Sequence, residues 1–209
     1  MRRRLSALRS LPALAALAVV TVLGLGAGGA AAGGPTTQLR AHIDRALRVL
    51  EDPALKAPQK ARDRRAALRG VADDLFDFTE TSRRALGRHW AARTPAERDL
   101  FVQLFADILE RSYISKVELY GGEKIEYTSE SIDADHAAVG SRIVTRQGLQ
   151  VPIQYRMQRR GDRWLVYDVV IEGVSLVANY RSQFDKIIRT SSFDELVKKM
   201  KARQEELGA

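Results

Sequence analysis

Two acidic residues, Asp168 and Glu172, stand inside an otherwise apolar run, VYDVVIEGVSLVANYRSQF, from Val166 to Phe184. Paired carboxylates do acid–base or nucleophilic work when their carboxyl groups stand roughly 5 to 9.5 Å apart. Placed in a strand, these two share a face four residues apart, and a rise near 3.3 Å per residue separates their backbones by about 13 Å. That spacing suits direct cooperation poorly. Arginine side chains, or backbone groups at a strand-to-helix junction, are the expected partners, with Gly173 permitting the turn.

The remaining chemistry-bearing residues are sparse. His42, His89 and His136 lack a second ligand at a spacing like H-E-x-x-H, so surface or helix-face positions are expected for all three. Ser175 in EGVSL approaches a nucleophile elbow but lacks its second glycine. GLGAGG, from Gly24 to Gly29, satisfies G-x-G-x-x-G, yet no strand precedes it and no helix pattern follows it. No Walker-type phosphate loop occurs, and the chain has no cysteine. Disulfides, thiolate metal sites and cysteine nucleophiles are thereby excluded. The residues point to no catalytic centre and to no metal or cofactor.

The N-terminus explains the glycine-rich match. MRRRLSALRS is basic, LPALAALAVVTVLGLG is apolar, and AGGAAA is a run of small residues. This is the order of a secretory signal peptide, with cleavage expected near Ala32, so residues 1–32 are read as leader and 33–209 as the mature domain. The whole chain carries 34 basic and 26 acidic residues; the leader holds four of the former and none of the latter, leaving a net charge of +4. Export and that modest charge argue against nucleic acid as a partner.

Along the mature chain, apolar residues recur at helical spacing in Gln38–Leu50, in KARDRRAALRGVADDLFDF up to Phe78, and in TETSRRALGRHWAAR. The clearest helix start is TPAE, with Thr94 as cap, Pro95 in the first turn and Glu97 completing a capping box. Behind it Phe101, Leu104, Phe105, Ile108 and Leu109 form a stripe continued by Tyr113 and Val117. From Glu123 the period changes to two, and KIEYTSESI, AAVGSRIVTR, LQVPIQYRMQ and RWLVYDVVIEG read as four antiparallel strands. In the fourth, Leu165, Tyr167, Val169 and Ile171 are assigned to one face and Trp164, Val166 and Val170 to the other. Helix resumes after Ser175, and SSFDELVKKMKARQEE is a last helix behind a serine cap. The pattern predicts an α+β domain: a twisted antiparallel sheet of about four strands packed against several helices.

Bulky residues on both faces of the last strand and a phenylalanine-rich helix supply much apolar surface. Periodicity does not separate a solid core from a wall around apolar ligand. WLVYDVVIEGVSLVANYRSQFDKII, with FTETSRRALGRHWAARTPAERDLFVQLFADILERSY upstream, resembles the MlaC family of periplasmic phospholipid-binding proteins, also called toluene-tolerance or auxiliary transport components. The resemblance covers roughly Leu39 to Glu206. It implies acyl chains held in an apolar pocket between sheet and helices. It also implies phospholipid shuttling between an outer-membrane lipoprotein–porin complex and an inner-membrane ABC transporter with a membrane-anchored receiving subunit. Membrane contact would then be transient and made through these partners. Position and facing together put the pocket wall at Phe105, Leu109, Tyr113, Ile153, Tyr155, Tyr167, Val169, Ile171, Val174 and Leu176. The alternatives are a hopanoid or other isoprenoid carrier, an exported lipid hydrolase built on Ser175, and a solid-cored module recruiting a membrane complex. The basic positions Arg62, Arg64, Arg65, Arg83 and Arg84 are expected on solvated helix faces.

Overall fold

A computed structural model describes residues 33–208; the leader and its expected cleavage near Ala32 lie outside the described residues. Helix α1 (Pro35–Glu51) begins at a proline and is followed by the single-turn α2 (Pro53–Lys56), α3 (Ala61–Leu75) and α4 (Phe78–Leu86). The long helix α5 (Pro95–Val117) starts with the full capping box: Thr94 Oγ1 accepts from the Glu97 amide, and the Glu97 carboxylate accepts from the Thr94 amide. Strands β1 (Lys124–Asp133), β2 (His136–Val144), β3 (Gln150–Arg160) and β4 (Arg163–Ile171) form an antiparallel meander. A two-residue β5 (Val174–Ser175) then leads into α6 (Leu176–Thr190) and α7 (Phe193–Gly208). The fold class is α+β, with one short strand beyond the expected four.

The extra strand comes from a tight turn. Glu172 and Gly173 both take positive φ, at 50° and 82°, as a two-residue type I′ hairpin requires. Val174 therefore pairs back onto Ile171, and Glu172 leaves the strand face that its spacing had suggested.

Two irregularities shape the sheet. In β1, Thr128 is an extra residue between the Tyr127–Ser141 and Ser129–Gly140 pairs, and a Cβ on Gly140 would collide with Ser129 Oγ. In β4, Met157 pairs with Val166 while Arg156 pairs with Asp168, so Tyr167 is a bulged residue. The bulge overturns strict alternation in this strand. Trp164 and Val166 join one buried cluster with Val169 packed against it, although a regular period of two puts Val169 on the opposite face.

A second break decides how helices meet the sheet. The apolar pattern carries α3 on to Phe78, but the helix stops at Leu75. Phe76 bridges Val166 in parallel, the Asp77 amide donates to the Val166 carbonyl at 2.9 Å, and Thr81 Oγ1 donates to the Tyr167 carbonyl at 3.0 Å. Asp77 then caps α4 by accepting from the Glu80 amide. Backbone pairing at the bulged strand thus outcompetes another helical turn.

Two hydrophobic cores result. One joins α4, α5, α6 and α7 through Phe101, Phe105, Phe184 and Phe193, with Phe105 and Tyr180 rings edge-on at 4.9 Å. The other packs Leu39 and Leu75 against Val139, Met157, Trp164 and Val166 of the sheet. Replacing Thr94 by Ala removes one cap bond of the helix that anchors the first core. A loss of about 1 kcal/mol is expected, read as a lower urea midpoint at unchanged slope.

Candidate functional site: an apolar cavity between two cores

Between the two cores lies a cavity of about 600 Å³. Helix α3 supplies Leu68, Val71 and Leu75, followed by Phe76 and Phe78; α5 supplies Phe105, Leu109, Tyr113, Ile114 and Val117. The sheet contributes Tyr155, Tyr167, Val169 and Ile171, and α6 contributes Leu176 and Tyr180. The α5 stripe divides along its length. Phe101, Leu104 and Ile108 fill the core, while Leu109, Tyr113 and Val117 face the cavity.

Eight of the ten residues assigned to a pocket wall line this cavity: Phe105, Leu109, Tyr113, Tyr155, Tyr167, Val169, Ile171 and Leu176. Ile153 and Val174 do not. Ile153 is half-buried across from Ile171, and Val174 lies past the hairpin turn on the edge strand, 56% exposed. The α3 contribution had gone unassigned. Leu68, Val71 and Leu75 recur at helical spacing, a signal that a solid core and a cavity wall share.

The wall's polar groups are the tyrosine hydroxyls together with charged and amide side chains, among them Arg69, Asp107, Glu110 and Gln204. Burial pushes the phenols of Tyr113, Tyr155 and Tyr180 above their ordinary range, so they stay protonated donors. An apolar body with one hydrogen-bonding tip suits an amphiphile better than a fully polar ligand.

Across the cavity α3 and α5 are tied by ion pairs at two levels. Arg64 and Arg65 both bond Glu118, at 2.8 and 3.1 Å. Further along, Arg69 bonds Asp107 at 2.9 Å and also Glu110. Between these levels α5 presents Tyr113, Ile114 and Val117, an apolar window framed by charge. Arg62, Arg65 and Arg83 are exposed, as expected of solvated helix faces, whereas Arg64 is half-buried against Glu118 and Arg84, with Arg83, closes over the buried Glu80. Burial pushes the Glu118 carboxyl up, but its Arg65 and Arg64 bonds outweigh that and hold it below the usual range. Asp107 is depressed likewise, burial being outweighed by Gln204, Arg111 and Arg69.

Asp168, the first carboxylate of the apolar run, is 4% exposed and fully engaged. Its Oδ2 accepts from Ser175 Oγ at 2.6 Å and from Arg156 at 3.2 Å, and its Oδ1 accepts from the Val177 amide at 3.0 Å. Ser175 Oγ in turn accepts from the Ala178 amide as the α6 cap. Serine and aspartate are thus committed to holding a strand-to-helix junction. Glu172 is exposed in the hairpin turn. His89 bonds Asp185 at 2.9 Å, and among the described residues no group of three or more His, Asp or Glu converges as a metal site.

A family model described as MlaC protein matches residues 40–202. The chain belongs to the MlaC family. Among curated members, it is 25% identical over 138 residues to the intermembrane phospholipid transport system binding protein MlaC of Haemophilus influenzae, covering 62% of this chain and 64% of that protein. It is 26% identical over 136 residues to the toluene tolerance protein ttg2D of Pseudomonas putida, covering 61% and 60%. The matches thus span a little under two thirds of each curated relative's length. A phospholipid-binding protein of Ralstonia solanacearum, solved in complex with a phospholipid, superposes with a TM-score of 0.74 at 24% identity. That match covers 85% of this chain and all of the other, and it shows that the MlaC-family chain shares that fold.

Two outcomes test this geometry. Asp168→Ala leaves buried donors unpaired and should cost about 2–4 kcal/mol, with Asp168→Asn intermediate, both measured by chemical denaturation. The depressed pKa values of Glu118 and Asp107 mean that their ties stabilise the fold above the unfolded-state carboxylate pKa and lose that effect as pH falls through the folded-state values. Stability of wild type over Glu118→Gln should accordingly shrink toward zero as pH falls from the ordinary glutamate range through the lower folded-state value. A gap that widened on acidification would contradict the assignment.

Proposed function

We propose that this protein is a carrier that holds phospholipid acyl chains in the cavity between α3, α5, α6 and the sheet. The observation that carries the reading is a cavity of about 600 Å³ with an apolar wall in a chain of the MlaC family. Its curated relatives, named for phospholipid transport and toluene tolerance, support it, as does the phospholipid-bound protein of like fold.

In this reading residues 1–32 direct export and are removed near Ala32, and residues 33–209 work in the periplasm. The mature protein receives lipid from, or delivers it to, an outer-membrane lipoprotein–porin complex and an inner-membrane ABC transporter with its anchored receiving subunit. The role is non-enzymatic. Ser175 and Asp168 spend their polar atoms on the α6 cap, which leaves the hydrolase alternative without a nucleophile and base. The physical need is plain. Each methylene exposed to water costs about 0.8 kcal/mol, so two chains of about 14 methylenes cost on the order of 20 kcal/mol to carry bare across an aqueous gap. A lined cavity removes most of that barrier. The charged groups at its edge are already paired with each other, which favours weak selection among headgroups.

Export of the full chain, purification without detergent and native mass spectrometry test the proposal. A bound glycerophospholipid in stoichiometric amount is the expected result. A hopanoid would change the cargo, and an apo mass unchanged after incubation with vesicles would overturn the carrier. Val169→Asp, which places a charge on the wall, should abolish loading while the folded far-UV spectrum persists. Loading at the wild-type level would show that this face is not the wall.

A further inference from the structure

Sheet ends differ sharply in what they expose. At one end lie the α5–β1 connector, the β2–β3 loop and the β4–β5 turn; at the other lie the turns at Ala134–Asp135 and Gly161–Asp162. Of the five large hydrophobic side chains that are exposed among the described residues, four sit at the first end. They are Val117, Leu119, Leu149 and Val174, at 42%, 80%, 64% and 56% exposure. Ile132 stands apart, near the opposite end of β1.

The apolar tips belong to one surface. Arg146 of the β2–β3 loop donates to the Gly121 carbonyl of the connector, joining the loops that carry Leu149 and Leu119. The Glu172 amide donates to the Pro152 carbonyl at 3.0 Å, which keeps the β4–β5 turn and Val174 beside the start of β3. Val117 both lines the cavity and reaches solvent, so one edge of the cavity borders this surface.

Charge surrounds the tips. Lys116, Lys124, Arg142 and Arg146 stand at this end, and Arg64 and Arg65 approach it through Glu118. Glu118 is matched by two arginines, and Glu126 by Lys124 and Arg142. Counting Glu51 beside Tyr120, Glu123 and Glu172 against Lys116 and Arg146, the end keeps a surplus of one positive charge. Separate leucines on loop tips, spaced by cations, need no pre-shaped complement. A bilayer interface accepts such tips individually and offers anionic headgroups to the cations.

We propose that this end of the molecule is a membrane-docking surface for a bilayer containing anionic phospholipid, with Leu119 and Leu149 entering the interface. The inference rests on the carrier reading for its purpose, since it sets an edge of the cavity beside the lipid that would enter it. Docking then needs no acyl chain to cross bulk water.

Full chain, exported and purified, is floated with vesicles of phosphatidylcholine alone and of phosphatidylcholine mixed with phosphatidylglycerol. Wild type should float with the mixed vesicles, less with the neutral ones, and less again at high salt. The Leu119→Ser/Leu149→Ser double variant should lose roughly tenfold in vesicle affinity while its thermal midpoint stays close to wild type. Hydrogen exchange on mixed vesicles should slow at residues 117–122 and 145–149 of the wild type, a readout independent of any variant. Wild type that floats with neither vesicle, or a double variant that floats like wild type, overturns the proposal. Wild type that floats yet purifies without bound lipid supports the surface and counts against the carrier.

Discussion

A single buried carboxylate sets the geometry on which the cavity depends. Asp168 ties the bulged end of β4 to Ser175 and to the first turn of α6, so the strand that carries Tyr167, Val169 and Ile171 is locked to the helix that carries Leu176 and Tyr180. A carboxylate buried at 4% exposure is tolerable because donors from a hydroxyl, a backbone amide and an arginine meet its two oxygens. Without that junction, two adjacent walls of the cavity would have no fixed angle between them.

The cavity survives because the molecule has two cores rather than one. An open apolar space inside a single close-packed core would collapse, since neighbouring side chains gain contacts by filling it. Here the aromatic cluster under α5, α6 and α7 and the aliphatic cluster under α1 and α3 are each packed independently. They are held apart by the sheet on one side and by paired charges on the other. The Arg64/Arg65–Glu118 and Arg69–Asp107 pairs join α3 to α5 without drawing apolar surfaces together. Ionic ties at a partly solvated seam are weak singly, so this wall is held less firmly than the packed cores on either side.

The α3–α4 break belongs to the same economy. Phe76 makes the last helical bond, to the Ala72 carbonyl, and Asp77 leaves the helical ladder to donate to Val166, which leaves Phe76 and Phe78 at the cavity edge and Asp77 free to cap α4. Bulge and helix break meet at adjacent residues of β4. Each compensates the backbone groups that the other leaves unpaired.

Local signals determined a large share of this protein. Capping-box residues, glycine turns and the change of period from helix to strand marked α5, the four long strands and the serine-capped α7, because those features depend on neighbours along the chain. Most of the cavity wall was legible too, since Phe105, Leu109, Tyr113, Tyr155, Val169 and Ile171 stand on apolar faces whatever they enclose. Only the tertiary structure decided the rest. Strict alternation cannot anticipate the Tyr167 bulge, which depends on pairing with β3, nor the stop at Leu75, which depends on Val166 of a distant strand. Above all, Leu68, Val71 and Leu75 carry the same spacing whether they fill a core or border an opening. Apolar periodicity records that a side chain leaves water, and it takes the packing of the whole fold to decide what it meets on the other side.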